Sequence, residues 1–370
     1  MALVAAVIFL ADGFTGLELK SLDARFRLRG ERRAPADVVI VAIDDASFRE
    51  LQLQWPWPRA VHADLVDALA EMGASVIAFD VLFLEPSRFG PEDDARLAEA
   101  AARAGNVIFG HKLTHIVDQQ FRTSALDKPV PPLAEAAWSL GLVNHPPDPD
   151  RFARRSYLYL MHQGRFEPTP ALAAAAAHLG LSMDVLAFDA EAVAARGSGA
   201  LTVGGREIGL LPAGPFAGTY VINFLGGART VRTIPYYQVL DRTAPREWIE
   251  GRIVLVGAVT PDLEDMFATP FFHMGLMPGV EVHANAVVTL LEGNPLQVPP
   301  PYVTLLIIIA AATGAAWLGG RVSAGAGFFA ALLGAGALAA AAWWAFAARG
   351  VWLPMVPPLA GAGAELGVHV

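Results

Sequence analysis

Two apolar runs set the fold of this chain: VVIVAIDD at Val38–Asp45 and SVIAFD at Ser75–Asp80. Each run is rich in β-branched residues, lacks polar alternation and ends at aspartate, which is typical of a strand buried on both faces. Between them, Ala60–Met72 has apolar residues at helical spacing, and Gly73 suits the left-handed position that ends a helix. The spacing predicts two strands paired in parallel through a right-handed helical crossover.

Further elements of the same kind surround this unit. Ile253–Ala258 is a third run without polar alternation, and Asn106–Gly110 is a fourth. Acidic residues begin a helical pattern at Pro91, and another helical pattern covers Val280–Leu291. Residues 20–295 are therefore predicted to form an α/β domain, with a mostly parallel central sheet and helices on both faces.

The end of the chain differs sharply from this domain. After Pro301 come three apolar segments, at residues 302–318, 322–348 and 351–370. From Leu296 onward the charged residues are Arg321, Arg349 and Glu365. Segments of about 17–25 apolar residues are long enough to cross a bilayer, so three transmembrane helices are predicted. The alternative is a set of Ala- and Gly-rich helices in a soluble core.

The start of the chain is also apolar. Residues 1–19 carry Asp12 and Glu18 but no basic start and no clear small-residue cleavage site. This pattern favours an uncleaved N-terminal membrane anchor over a signal peptide. A buried helix of the α/β domain is the other interpretation.

Charge and composition exclude several classes of partner. The chain carries −9, and its last 75 residues hold two Arg and one Glu, so residues 1–295 carry −10. An acidic domain argues against nucleic acid and against an anionic membrane surface. There is no cysteine, so disulfides, thiolate metal sites and cysteine nucleophiles are excluded.

Acidic residues mark the predicted sheet edge. Asp44, Asp45 and Asp80 end the first two predicted strands, and Asp262 and Asp265 follow the third run. Ligands of open α/β sheets bind at the carboxyl ends of the strands. The acids could hold a divalent cation, serve as an acid/base pair, or cap helices and pair with arginine.

A rigid segment, Trp55-Pro56-Trp57-Pro58-Arg59, follows the first strand. Each proline fixes its own φ and restricts the residue before it. The segment could form one wall of a ligand pocket, or it could be a plug that positions the next helix. By geometry, the predicted ligand-binding residues are Asp44, Asp45, Trp57, Arg59, Asp80 and Asp262.

Sequence motifs of enzymes are absent. There is no phosphate-binding loop ending in Lys-Ser/Thr, no His-Glu-x-x-His and no Gly-x-Ser-x-Gly. The histidines are scattered, which is more typical of hydrogen-bonded structural residues. No catalytic residue is predicted.

Eight motifs together resemble one family. They are Leu22–Gly30, Val38–Asp45, Trp55–Arg59, Val76–Phe83, Pro91–Asp94, Ile253–Gly257, Asp265–Pro270 and Pro278–Asn285, in this order. The chain resembles the type-two CHASE domain, an extracytoplasmic sensor module of bacterial nucleotide cyclases, histidine kinases and related receptors. The resemblance spans roughly residues 20–293.

The resemblance implies a membrane receptor: one anchor helix, an outside sensor, then three helices leading to a cytoplasmic effector such as an adenylate or guanylate cyclase. It implies location in the bacterial inner membrane, contact with membrane lipid, and an unidentified extracytoplasmic ligand or protein. A homodimer is expected because such effectors work in pairs.

Two other functions stay open at this point. The chain could be a stand-alone membrane scaffold subunit whose α/β domain docks partner proteins. It could also be an extracytoplasmic metal-dependent hydrolase, which would need a divalent ion at the aspartate edge.

Overall fold

The computed structural model describes residues 6–9, 13–117, 122–196, 199–211, 218–263, 265–319 and 321–369. Its internal contacts divide the chain into two units, Glu31–Pro295 and a second unit made of Met1–Gly30 with Leu296–Val370. The domain limits and membrane segments inferred from the sequence stay predictions. Parts of the predicted anchor (residues 1–5 and 10–12), and Val370 at the end of the last segment, lie outside the described residues.

A helix of the smaller unit, labelled α1 (Thr15–Arg29), precedes the larger unit along the chain. The larger unit begins with β1 (Val38–Ile43), α2 (Asp45–Leu51), α3 (Arg59–Glu71), β2 (Val76–Leu82), α4 (Pro91–Ala104), β3 (Val107–Val117), β4 (Arg122–Asp127), α5 (Pro131–Ala136) and β5 (Ser139–Leu142).

Its middle part contains β6 (Arg155–Tyr157), β7 (Tyr159–His162), β8 (Arg165–Pro168), α6 (Pro170–Leu179), α7 (Met183–Arg196), β9 (Gly199–Val203), β10 (Arg206–Leu210) and β11 (Thr219–Val221). Its last part contains β12 (Thr233–Pro235), α8 (Tyr236–Leu240), β13 (Ile253–Ala258), β14 (Met266–Phe267), β15 (Met277–Pro278) and α9 (Gly279–Glu292). Short 3₁₀ turns lie at Arg246–Trp248, Pro261–Leu263 and Phe272–Met274. The other unit ends with α10 (Pro301–Gly319), α11 (Ala324–Arg349) and α12 (Val356–His369).

A seven-stranded sheet forms the centre of the larger unit. Its order is β12-β1-β13-β2-β3-β4, with β5 also paired to β3. All pairings are parallel except that of β3 with β4. The predicted mixed α/β fold with a central sheet is confirmed.

The direct pairing predicted for the first two apolar runs is wrong. β1 and β2 run parallel in one sheet, but β13 lies between them and pairs with both. All three strands are apolar on both faces, so alternation gave no signal for their order. The insertion sets Ala42, Gly257 and Asp80 at one level across the sheet.

Helices cover both faces of this sheet, because its strands are apolar on both sides. Val39, Val41 and Ile43 of β1 pack in one core with α3, α4 and α8. On the other face, α9 contacts β1 and β13, and α6 contacts β2. The central strands β1 and β13 are therefore buried, and an accessible edge lies at the carboxyl ends of β1, β13 and β2.

The smaller unit is helical. Among the described residues, one helix, Gly325–Arg349, is long and apolar enough to cross a membrane, and Pro301–Trp317 is a shorter apolar helix. The prediction of four spans is therefore not confirmed. Within this unit, Glu18 of α1 is buried and accepts hydrogen bonds from Trp352 Nε1 and from the backbone N–H of Met355 and Val356, at the start of α12.

Candidate functional site

A cavity of about 490 Å³ lies at the carboxyl-terminal edge of the sheet in the larger unit. Its walls come from the ends of β1, β2 and β13, the segment before α3, the residues after β5, and the start of α9. The lining residues are Ile43, Trp55, Pro56, Arg59, His62, Asp80, Val81, Leu82, Val143, His145, Ala258, Leu263, Asp265, Phe267, Gly279 and His283. The volume suits a small-molecule ligand.

Asp80 is the most unusual of these residues. It belongs to β2, its side chain is 10% exposed, and it lies beside Gly257 of β13. Its Oδ1 is 3.8 Å from His283 Nε2, and its buried Oδ2 has no hydrogen-bond partner within the described part of the chain. A buried carboxylate oxygen without a partner is costly, so Asp80 is not explained by packing.

Two histidines face the same space. The rings of His145 and His283 lie 4.3 Å apart between centroids. The neighbouring Asn144 holds His145 in place, because its amide exchanges two hydrogen bonds with the backbone of Leu113. Both ring nitrogens of His145 are buried and lack a hydrogen-bond partner in the described ranges.

A second acid, Asp265, also lines the cavity. Its backbone carbonyl accepts a hydrogen bond from Gly279 N, the first residue of α9, over 3.0 Å. Its carboxylate lies against Gly279 where a side chain would otherwise stand, so any Cβ there would clash with Asp265. Glycine at position 279 thus lets the acid approach the helix start.

The environment changes the protonation of these groups. Burial raises the pKa of Asp80, and burial together with the charge of Asp80 raises the pKa of Asp265. Burial lowers the pKa of His283 to about 4, and burial with the nearby His283 lowers the pKa of His145. The histidines are therefore neutral at pH 7, and the acids resist ionisation while nothing positive is bound.

The Trp-Pro segment is divided between the cavity wall and the core. Trp55 and Pro56 line the cavity, whereas Trp57 is 1% exposed and packs against Tyr236 with ring centroids 4.9 Å apart. Next to them, His62 is buried, and its Nδ1 is 2.9 Å from the Tyr236 hydroxyl. Burial lowers the pKa of His62 to about 3. Trp57 thus belongs to the buried core, and Trp55 forms part of the cavity wall.

Arg59 lines the cavity but is already engaged. Its Nε lies 3.3 Å from Asp94 Oδ1, and its Nη2 donates to the Glu85 carbonyl over 3.1 Å. The guanidinium also lies 4.6 Å from the centre of the Phe83 ring. Its charge is therefore compensated from outside the cavity.

The structure places the six predicted ligand-binding residues in different surroundings. Arg59 and Asp80 line the cavity, and Trp57 lies buried behind its wall. Asp44 caps α2, accepting hydrogen bonds from Ser47 N (2.8 Å) and Ser47 Oγ (2.6 Å). Asp45 and Asp262 are exposed and do not line the cavity. Ligand binding by any of the six residues stays a prediction.

Sequence reasoning assigned no role to His145 or His283, and left Asp265 outside the predicted set. His145 lies outside the eight motifs, so no sequence pattern pointed to it. His283 and Gly279 belong to the motif Pro278–Asn285, whose spacing holds the missed signal. Residues 281, 285 and 289 share one face of a helix, and residue 283 faces away from them.

Metal binding has no direct support from the arrangement of ligands. Among the residues that the structure describes, no group of three His, Asp or Glu side chains is arranged to hold a metal ion. The divalent cation at the aspartate edge, one of the alternatives that the sequence left open, stays a hypothesis.

Comparison with known protein families gives one match. The model of the CHASE2 domain matches residues 1–317, most of the chain, so the protein belongs to the CHASE2 family. This confirms the resemblance drawn from the eight motifs. The comparison with curated proteins found no match, and the comparison with solved structures found none. CHASE2 is an extracellular sensor domain of signalling receptors, which supports a sensory role for this chain.

Proposed function

We propose that this protein is the sensory part of a bacterial membrane receptor, and that the cavity beside Asp80 is its stimulus-binding site. The observation that carries the proposal is Asp80 itself, a nearly buried carboxylate with an unpartnered oxygen that lines the cavity. Such a group is costly without a partner and useful when a ligand supplies one.

The proposed route of the signal begins at α9. Gly279 and His283 of this helix line the cavity, and its other end, Glu292, precedes α10 by a short connection in the sequence. A ligand that holds His283 and the Asp265 loop in one arrangement would bias the position of α9. A shift of α9 would then reach the membrane helices through residues 293–300. The expected receiver is a cytoplasmic effector such as an adenylate or guanylate cyclase, working as a homodimer.

A fusion protein tests this role. The full chain is joined after Val370 to a cytoplasmic cyclase domain, and cyclic nucleotide is measured in cells without their own cyclase. Ala258 lines the cavity, so Ala258→Trp fills it, and we expect the output to shift away from that of the parent fusion. Ala95 is exposed on α4, so Ala95→Trp is the matched control and should leave the output unchanged. Equal output from all three fusions would contradict the proposal.

The proposed topology has a separate test, because the chain lacks cysteine. Single cysteines are introduced at Ala95, in the α/β unit, and at Ser323, which precedes α11. With four spans and an outside sensor, a membrane-impermeant maleimide should label Ala95→Cys in intact cells and Ser323→Cys only after lysis. Labelling of both positions from outside would contradict this topology.

A further inference from the structure

We propose that the cavity binds a small organic cation, with its ammonium group at Asp80 and Asp265 and its apolar part against Trp55 and Phe267. This inference rests on the sensory role proposed above and names the class of ligand for the same cavity. It is carried by the charge, the unpartnered oxygen and the wall chemistry of the described lining residues.

The described lining holds two acids and no basic group that is free to pair with them. Of the described lining residues, Arg59 is the one arginine or lysine, and Asp94 and the Glu85 carbonyl already engage it. The lining histidines His62, His145 and His283 each have a lowered pKa and carry no charge at pH 7. The start of α9 contributes only about half a positive charge, against two carboxylates. A cationic ligand would supply the missing charge, whereas an anion would add to the repulsion.

Asp80 provides a hydrogen-bonding position for such a ligand. Its Oδ2 accepts no hydrogen bond from the described residues, although its side chain is nine-tenths buried. An ammonium group brings three donors, and hydrogen bonds between ionised groups are about twice as strong as neutral ones. One donor at Asp80 and another at Asp265 would satisfy the acids and restore their ionised forms.

The size and walls of the cavity favour an organic cation over a bare metal ion. About 490 Å³ is far more room than one ion fills. The described His, Asp and Glu side chains form no group of three arranged for a metal. The rest of the wall is apolar or aromatic, with Trp55, Val81 and Phe267 among its members. Aromatic faces attract cations and also cover the apolar part of an amine.

The binding test uses the full chain in lipid nanodiscs and matched pairs of probes. The probes are methylammonium, n-butylammonium and benzylammonium, each paired with its neutral alcohol, namely methanol, 1-butanol and benzyl alcohol. Calorimetry and Trp fluorescence report binding, because Trp55 lines the cavity. We expect at least one ammonium probe to bind and its alcohol to bind about tenfold more weakly or not at all. Binding by no ammonium probe, or equal binding of the two members of each pair, would overturn the proposal.

Variants locate the binding in the cavity. Asp80→Asn and Asp265→Asn should each weaken the ammonium probe about tenfold. Asp262→Asn removes an exposed acid of the same loop and should leave the affinity unchanged. Undiminished binding in Asp80→Asn would show that the probe lies elsewhere. If Asp80→Asn does not fold, the difference between ammonium and alcohol in the unmodified chain still decides the question.

Two further arms separate this inference from other outcomes. Mg²⁺ and Zn²⁺ are each titrated alone. The proposal would be wrong, and the ligand a metal, if either ion bound stoichiometrically, lost its binding in Asp80→Asn, and no ammonium probe bound.

The cyclase fusion separates the two proposals. If the ammonium probes fail but Ala258→Trp still shifts the output, the sensory role stands and the ligand class is wrong. If an ammonium probe binds and the output never changes, the sensory role fails instead.

Discussion

The two faces of α9 differ in how their buried polar groups are satisfied. On one face, Glu281 accepts the backbone N–H of Arg229 (2.8 Å) and Val231 (3.1 Å), and Asn285 Oδ1 accepts Leu225 N at 2.9 Å. On the same face, Thr289 Oγ1 accepts Asn223 N over 3.2 Å. On the other face, His283 is turned to a cavity where Asp80 Oδ1 lies 3.8 Å from its Nε2.

This contrast separates structural from functional polar residues. Backbone N–H groups in residues 223–231 have no strand partner and donate instead to the side chains at positions 281, 285 and 289. These three side chains are therefore explained by the fold. The groups around Asp80 have no such explanation, since burial raises their cost and the described residues offer no sufficient partner. The buried polar atoms of Asp80, His145 and His283 that lack hydrogen-bond partners lie around one cavity, and this is the reason for proposing a ligand there.

The largest expected effect is on the satisfied face. Glu281→Ala removes the acceptor of two backbone N–H groups, of which that of Val231 is buried, so the free energy of unfolding should fall by roughly 2–5 kcal/mol. Pulse proteolysis of the detergent-solubilised chain in urea measures it. Glu281→Gln is the matched control, because its amide oxygen still accepts, and it should lose less than half as much. Equal losses in the two variants would mean that charge, not acceptor number, holds this loop.

Asp80→Asn should have the opposite sign on the unsatisfied face. The pKa of Asp80 is raised from 3.8 to about 7, so the folded state binds its proton more tightly than the unfolded state does. The contribution of Asp80 to stability is then most favourable below pH 4 and is lost as pH rises through about 7. At pH 8, Asp80→Asn should therefore raise the free energy of unfolding by roughly 1–4 kcal/mol.

The same urea assay, repeated from pH 4 to pH 8, checks this result. Asp80→Asn should flatten the fall in stability, whereas Asp262→Asn, at an exposed acid, should reproduce the parent profile. A loss of stability in Asp80→Asn at pH 8 would mean that the Asp80 carboxylate has a favourable partner. The contrast drawn between the two faces of α9 would then be wrong.

The smallest expected effect concerns Asp44, which sequence reasoning assigned to the ligand site. Its carboxylate caps α2 through Ser47, so Asp44→Ala should cost about 1 kcal/mol. Its affinity for the ammonium probes should not change. Asp45→Asn, at an exposed position, should stay within about 0.5 kcal/mol of the parent chain. A tenfold loss of probe affinity in Asp44→Ala would instead show that Asp44 contributes to ligand binding.

Much of the fold was predictable from local patterns. The apolar runs at Val38–Ile43 and Ile253–Ala258 predicted strands at those positions, because a strand buried on both faces needs no polar residue. Gly73 ended the first helical pattern at a position where a left-handed residue was needed. The order of the strands was not predictable, since the third run enters the sheet from more than 170 residues away and has the same composition as its neighbours.

The candidate site divides in the same way. From the residues alone it follows that the α/β unit is acidic, that its strands end at aspartates, and that Asp80 and Arg59 stand near one sheet edge. Which of the acids are satisfied is known only from the folded chain. Asp44 meets Ser47 three residues away, a local contact, whereas the surroundings of Asp80 come from β13, His145 and the start of α9. Burial and pairing depend on what the rest of the chain brings to a residue, so no pattern within a single segment encodes them.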